Sequence, residues 1–121
     1  MSKPIHLAVW LISRGHADTY TEAMAMQAIP YAPDEFTRKG AVEDVHHIYA
    51  RGMGGSKVIP LPEHLIGLSS AGHGVVEETH VQLREALVVA AEAAITRPGH
   101  IEKQGTRYIY IDAPQGHKDL R

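Results

Sequence analysis

VHHIYARGMGGSK, Val45 to Lys57, sets two adjacent histidines directly before a loop that carries Gly52, Gly54 and Gly55 between two cations, Arg51 and Lys57. Successive side chains of a strand point to opposite faces, so His46 and His47 cannot both ligate one ion in regular β geometry. One can bind a metal while the other acts as a general base, a task suited to an imidazole whose unperturbed pKa is about 6.5. The loop is not a Walker loop, because no Gly-Lys-Ser/Thr opens a helix after it. The stretch is therefore either a turn that holds histidines by accident or a metal site that meets a phosphate.

The surrounding residues favour the second reading. Five of the nine histidines lie between His46 and His80. After the pair come His64, His73, Glu77 and His80. On a helix, residues four apart stand roughly 5–6 Å from each other, so His73 and Glu77 can share one ion. Residues seven apart lie about 10 Å apart along a helix, which separates His73 from His80 if His73 is already helical. If His73 sits on the turn before the helix, between Gly72 and Gly74, His80 can still approach or hold Glu77 in place.

Composition narrows the chemistry. The 121 residues suit one domain, and 44% hydrophobic content argues against a disordered chain. Cysteine is absent, which excludes disulfides, thiolate zinc ribbons and a cysteine nucleophile. A metal site must come from His, Asp and Glu. No apolar run is long enough to span a bilayer. The N-terminal apolar patch reads as a helix rather than a signal peptide, so a cytoplasmic protein is expected. The net charge of −2 is not that of a strong general DNA binder. The cations Arg38, Lys39, Arg51 and Lys57 nevertheless cluster around the His pair, while Pro62–Ile95 holds Arg84 against five acids.

Ile5 to Arg14 reads as a short apolar helix closed near Gly15. Thr19 with Glu22 fits a capping box that opens a second helix through EAMAMQAI. These two helices read as a packing layer. Phe36 to Ala50 reads as extended chain, Val58 to Leu61 as a short strand end and Leu65 to Leu68 as an apolar segment. A turn over Ser69–Gly74 is expected, then one helix from Val75 to Thr96 with Val76, Leu83, Leu87, Ala90, Ala91 and Ala94 on one face. Pro98 and Gly99 stop it. A hairpin around Gln104-Gly105 follows, in which Tyr108 and Tyr110 read as packing residues. The expected fold class is α+β. The chain divides into a helical extension (1–35), a central core (36–97) and a C-terminal hairpin with a tail (98–121).

The His46-His47 pair, the RGMGGS loop, the EHLIGLSS segment and the His-x-x-Val-Glu after it resemble the HNH endonucleases, or ββα-metal nucleases, of the type common in bacteriophages and bacteria. The resemblance covers roughly Val42 to Ala91. It implies that the ββα-metal core has added N-terminal helices and a C-terminal hairpin. It implies a DNA hydrolase that leaves 5′-phosphate and 3′-hydroxyl ends, in a bacterial cytoplasm if phage-encoded. His46 and His73 would ligate one divalent ion (Mg, Mn, Ni or Zn), with Glu77 as a further ligand and His80 as its alternative. His47 would be the general base. His64 stands where the family usually has an Asn that orients the base. Arg51, Lys57, Arg38 and Lys39 would contact phosphates. The structural-zinc cysteines of many relatives are missing.

The competing expectation is an inactive DNA-binding or assembly module whose same ligands hold a structural zinc. An exposed apolar stripe on either N-terminal helix would suit a homodimer. DNA binding is expected to be weak and salt-sensitive.

Overall fold

The segment IHLAVWLIS has no polar face, and Ala8 to Ser13 are all buried. It forms helix α1 (Ile5–Ser13), which a helix apolar on every side must do inside a core. Gly15, at φ +80°, ends it: His16 N–H donates to the Leu11 carbonyl and Gly15 N–H to that of Ile12, a Schellman closure. A computed structural model of the chain describes residues 4–49 and 59–114. The glycine-rich loop with Arg51 and Lys57, and the tail expected from Pro114 onward except Pro114 itself, lie outside the described residues.

Helix α2 (Tyr20–Ala25) opens as its capping box implies, with Glu22 N–H donating to Thr19 Oγ1 at 3.1 Å. It ends earlier than expected. Met24, Met26 and Ile29 all pack against the α1 cluster, and an extended Met26 (φ −67°, ψ 136°) turns residues two apart to the same side, which a helix does not.

Strand β1 (Asp44–His47) pairs antiparallel with β2 (Leu65–Leu68), with His46 opposite Ile66 and His47 opposite Leu65. Val45 and Leu65 pack with α1. Ile66 and Leu68 pack with Ile48 and with Val76, Leu87 and Ala91 of the helices that follow. Covered on both faces, β2 is buried at every residue, which explains its unbroken apolar sequence LIGL. Gly67 lies against the Trp10 ring, which stands 2.9 Å from where a Cβ would be.

Of the extended segment expected over Phe36–Ala50, the described residues 36–49 are strand at Asp44–His47, because the chain from Asp34 turns first. Asp34 accepts hydrogen bonds from Phe36 N–H and Thr37 N–H, and Arg38 takes a positive φ of 65°. Of the strand end expected over Val58–Leu61, Val58 lies outside the described residues and residues 59–61 are irregular; a short 3-10 helix, Pro62–His64, then leads into β2.

The long helix is two helices, α3 (Ser70–Glu78) and α4 (His80–Ala94). It starts earlier than the turn-rich sequence suggests because carboxylates cap it from outside. Ser69 Oγ accepts from Gly72 N–H, Asp34 accepts from Ser69 N–H and Oγ–H, and Glu43 accepts from Ser70 N–H. It breaks at Thr79 (φ −124°, ψ 26°), whose hydroxyl donates to the Val75 carbonyl at 3.4 Å and competes with regular helix bonding. The expected inward face is as read except at its end: Val76, Leu87 and Ala91 are buried, Leu83 and Ala90 pack beside them, and Ala94 is half-buried outside this cluster.

Strands β3 (Gly99–Gln104) and β4 (Arg107–Asp112) form the second hairpin. Gly105, at φ +65°, and Thr106 make its turn, so Thr106 is not strand. Ile101 and Tyr110 close the α1 cluster from this side. The described residues thus form a small mixed α+β domain with helices α1–α4 and two two-stranded antiparallel sheets. Among them no helix is long and apolar enough to cross a membrane.

A buried polar network ties α1 to β2. Arg14 and Glu35 pair at 3.0 Å with side chains 3% and 5% exposed. Glu35 also accepts from Trp10 Nε1 and Gly67 N–H. The remaining Arg14 donors reach Ser13 Oγ and the Pro62 and Leu65 carbonyls, so the guanidinium is satisfied all round. This clamp fixes the entry into β2.

Candidate functional site

His46 stands near the end of β1, on the strand face turned towards α3 and α4, as its partner Ile66 shows. Two imidazoles meet it there. The His73 ring of α3 lies 5.1 Å from it, centroid to centroid, and the His80 ring of α4 lies 4.8 Å from it. His73 is helical, so simple helical spacing would keep His80 away. The break at Thr79 and the position of His46 between the two bring both to one place.

The buried nitrogens at this seam lack partners. Among the described residues, the buried side-chain nitrogens and oxygens without a hydrogen bond are His46 Nε2, His80 Nε2 and Arg84 Nε. His80 and Arg84 are four apart on α4 and so share a face. Buried polar atoms are almost always satisfied, and such exceptions call for a water, an ion or a catalytic role.

Burial, followed by the charges of His80 and His73, pushes the His46 pKa below the ordinary histidine value, while Asp44 and Glu77 oppose this less strongly. The ring is therefore held neutral near pH 7, the form in which a histidine can ligate a metal. Glu77 is exposed on α3 yet near enough for its charge to reach His46. Asp44 acts on the same ring and was not singled out from the sequence. Its position two residues before His46 on a strand was the signal, because that spacing returns to the same face.

His47 faces the other way, as strand alternation requires. Its ring lies 4.5 Å from that of His6 on α1. No sequence spacing pointed to His6. His64, at the end of the 3-10 helix, lies with its ring 4.8 Å from that of Tyr49, and its carbonyl accepts from Ile48 N–H. The Arg84 guanidinium lies over the Tyr49 ring, 5.5 Å from its centroid. Arg38 and Lys39 are exposed on the turn after Asp34. Arg51 and Lys57 lie outside the described residues.

The N-terminus of α3 is capped by side chains of the protein itself and is not open to an external anion. Its first donors are engaged by Ser69, Asp34 and Glu43. Two carboxylates already occupy the positive end of the dipole.

No family model, curated protein or solved structure matches this chain. The site is therefore read from its own chemistry. A divalent ion suits the donors: the neutral His46 ring, the unpartnered Nε2 atoms of His46 and His80, and the carboxylates of Asp44 and Glu77 whose charges reach His46. In the side-chain orientations present, no three His or acidic groups among the described residues form a ligand set around one point. The three rings are gathered at the seam without converging on one point.

Proposed function

We propose that this chain is a metal-dependent endonuclease of the HNH, or ββα-metal, type that hydrolyses DNA phosphodiester bonds. The observation that carries the reading is His46 standing between His73 and His80, with the Nε2 atoms of His46 and His80 buried and unpartnered. The order of the elements agrees with it: a strand bearing the His pair, an antiparallel strand, then a helix bearing His73.

In this reading His46, His73 and His80 hold one divalent ion, with Glu77 as the nearby carboxylate alternative. Imidazole-rich sites suit Mn²⁺, Ni²⁺ or Zn²⁺ better than Mg²⁺, which prefers oxygen ligands. Such an ion, when bound, supplies charge stabilisation at the scissile phosphate and at the departing 3′ oxygen. His47 takes the proton from the attacking water, leaving a 5′-phosphate and a 3′-hydroxyl. His6, against the His47 ring, holds the base in place, a task the resemblance gave to His64. Arg38 and Lys39, with Arg51 and Lys57 of the loop, contact neighbouring backbone phosphates, a positioning role that carries no sequence information.

The second reading is a DNA-binding or assembly module with a structural zinc. The capped α3 N-terminus favours it, since it offers less to a phosphate. Cleavage of supercoiled plasmid separates the two. Purified protein is incubated with Mg²⁺, Mn²⁺, Ni²⁺, Zn²⁺ or chelator, beside His47→Ala. Nicking that requires metal and is lost in the variant supports the nuclease. Retention of stoichiometric zinc with no cleavage under any metal supports the module.

A further inference from the structure

Arg84 is a half-buried cation with no ion-pair partner among the described residues. Among the described residues the ion pairs are Arg14–Glu35, Arg97–Asp112 and His100–Glu102, and Arg84 is in none of them. Its Nε is buried and has no hydrogen-bond partner. The contrast with Arg14 is direct, because the protein itself satisfies that guanidinium fully. Arg84 is instead held by an aromatic face. Its guanidinium carbon lies 5.5 Å from the Tyr49 ring centroid, and Tyr49 in turn meets the His64 ring edge-on.

The location gives this cation a role. His46 meets His80, and Tyr49, three residues further along the chain, meets Arg84, one helical turn further along α4. The strand end and the helix therefore form two successive rungs, imidazole on imidazole and tyrosine on guanidinium. Stacking orients the guanidinium plane and leaves its edge to donate. A planar, charged fork without a carboxylate is suited to a phosphate, which it can grip through two parallel hydrogen bonds. Tyr49 is 41% exposed, so the rung opens to solvent.

We propose that Arg84, braced on Tyr49, binds a backbone phosphate of nucleic acid next to the histidine cluster. This rests on the nuclease reading and adds to it a contact on the acidic helix, where charge counting along the chain expected none. Arg84 acts by binding and positions the strand for cleavage.

The test is the anisotropy of a short labelled DNA duplex in chelator, titrated at several salt concentrations, so that neither metal nor turnover contributes. Wild type is compared with Arg84→Gln, Arg84→Lys, Tyr49→Ala and, as a charge control on the other hairpin, Arg107→Gln. Arg84→Gln is expected to weaken binding about tenfold and to lower the salt slope by about one. Arg84→Lys should keep the slope, since the charge remains, but lose affinity, since the fork is gone. Tyr49→Ala should weaken binding and Arg107→Gln should leave it near wild type. If Arg84→Gln does not fold, Arg84→Lys and Tyr49→Ala decide by the same criteria.

Binding by Arg84→Gln and Arg84→Lys at wild-type strength overturns the inference. So does equal weakening by Arg107→Gln, which would reduce Arg84 to general charge. Inorganic phosphate is titrated in a separate arm. An Arg84-dependent phosphate site in a protein that does not bind the duplex also overturns it, in favour of a small-anion site. The nuclease reading survives these results if wild type still nicks plasmid in a metal-dependent way. It falls only if wild type does not.

Discussion

Removing the Glu35 carboxylate should nearly unfold the protein. That group accepts from Arg14 Nε and Nη2, each at 3.0 Å, from Trp10 Nε1 at 3.1 Å and from Gly67 N–H at 2.8 Å. In Glu35→Ala the Arg14 guanidinium, 3% exposed, would remain buried without its counter-charge. Stranding one member of a buried ion pair costs about 3–5 kcal/mol. The orphaned Trp10 and Gly67 donors add about 1–3 kcal/mol each, less whatever water recovers in the space left by the side chain. The low ends of these terms alone give about 5 kcal/mol, comparable with the ~5–15 kcal/mol that holds a domain together. At a urea dependence of roughly 1–3 kcal/mol per molar, the midpoint should fall by about 2 M or more.

The assay is urea unfolding followed by far-UV circular dichroism and by the fluorescence of Trp10. Trp10 is the only tryptophan of the chain and bonds directly to the group removed. Glu35→Gln, which keeps the shape and loses the charge, should lie between wild type and Glu35→Ala. Asp112→Ala, which removes an exposed pair with Arg97, should leave the midpoint near wild type. A Glu35→Ala midpoint shift no larger than that of Asp112→Ala would refute the reasoning. It would mean that the Arg14–Glu35 clamp contributes no more than a surface ion pair.

Other outcomes follow from single residues. Burial acts to raise the Asp34 pKa, but hydrogen bonds from Ser69, Thr37 and Phe36 outweigh it and hold the carboxyl below its ordinary 3.8. Its folded pKa lies below the unfolded one, so its contribution is present above about pH 4 and is lost as pH falls through the folded value. Urea midpoints of wild type and Asp34→Ala should therefore converge on acidification below that point. Burial pushes Tyr110 up to about 12, so its contribution is complete below pH 10 and is lost as pH rises towards 12. Tyr110→Phe, lacking the hydroxyl that donates to the Arg97 carbonyl at 2.7 Å, should be less stable at neutral pH and should lose less on going to pH 11, as read by thermal melting. Gly72→Ala would press a methyl group into the Asp34 carboxylate and should cost about 1–3 kcal/mol, whereas at Gly74, with no atom near the added Cβ, the same change should stabilise α3 by up to about 1 kcal/mol. Parallel denaturation curves separate the two.

The sequence carried the elements better than their ends. Runs such as LIGL and the alternation in RYIYID are legible because burial leaves its period on the residue order. The first turn of α3 was hidden, since Ser69 to Gly74 reads as loop until Asp34 and Glu43 arrive to cap it. The buried clamp was hidden for the same reason: Asp34 and Glu35 look like loop acids until the fold encloses them. The site divides similarly. His46 and His73 were legible from their order and spacing, and the structure brings their rings together. The approach of His80 depends on a helix break, which an unbroken periodicity cannot signal. The contact of His6 with His47 joins elements with no local relation, and Arg84 was submerged in an acidic helix. Arg51 and Lys57 were the most visible residues of the opening stretch, and they lie outside the described residues.

In the proposed nuclease the seam of His46, His73 and His80 holds one divalent ion. The most direct measurement is calorimetric titration of metal-stripped protein with Mn²⁺ or Ni²⁺, beside a His46→Ala, His80→Ala double variant whose fold is checked by circular dichroism. One ion per wild-type chain and none at comparable affinity in the folded variant is the expected result. No uptake by wild type, or equal uptake by the variant, would contradict the claim.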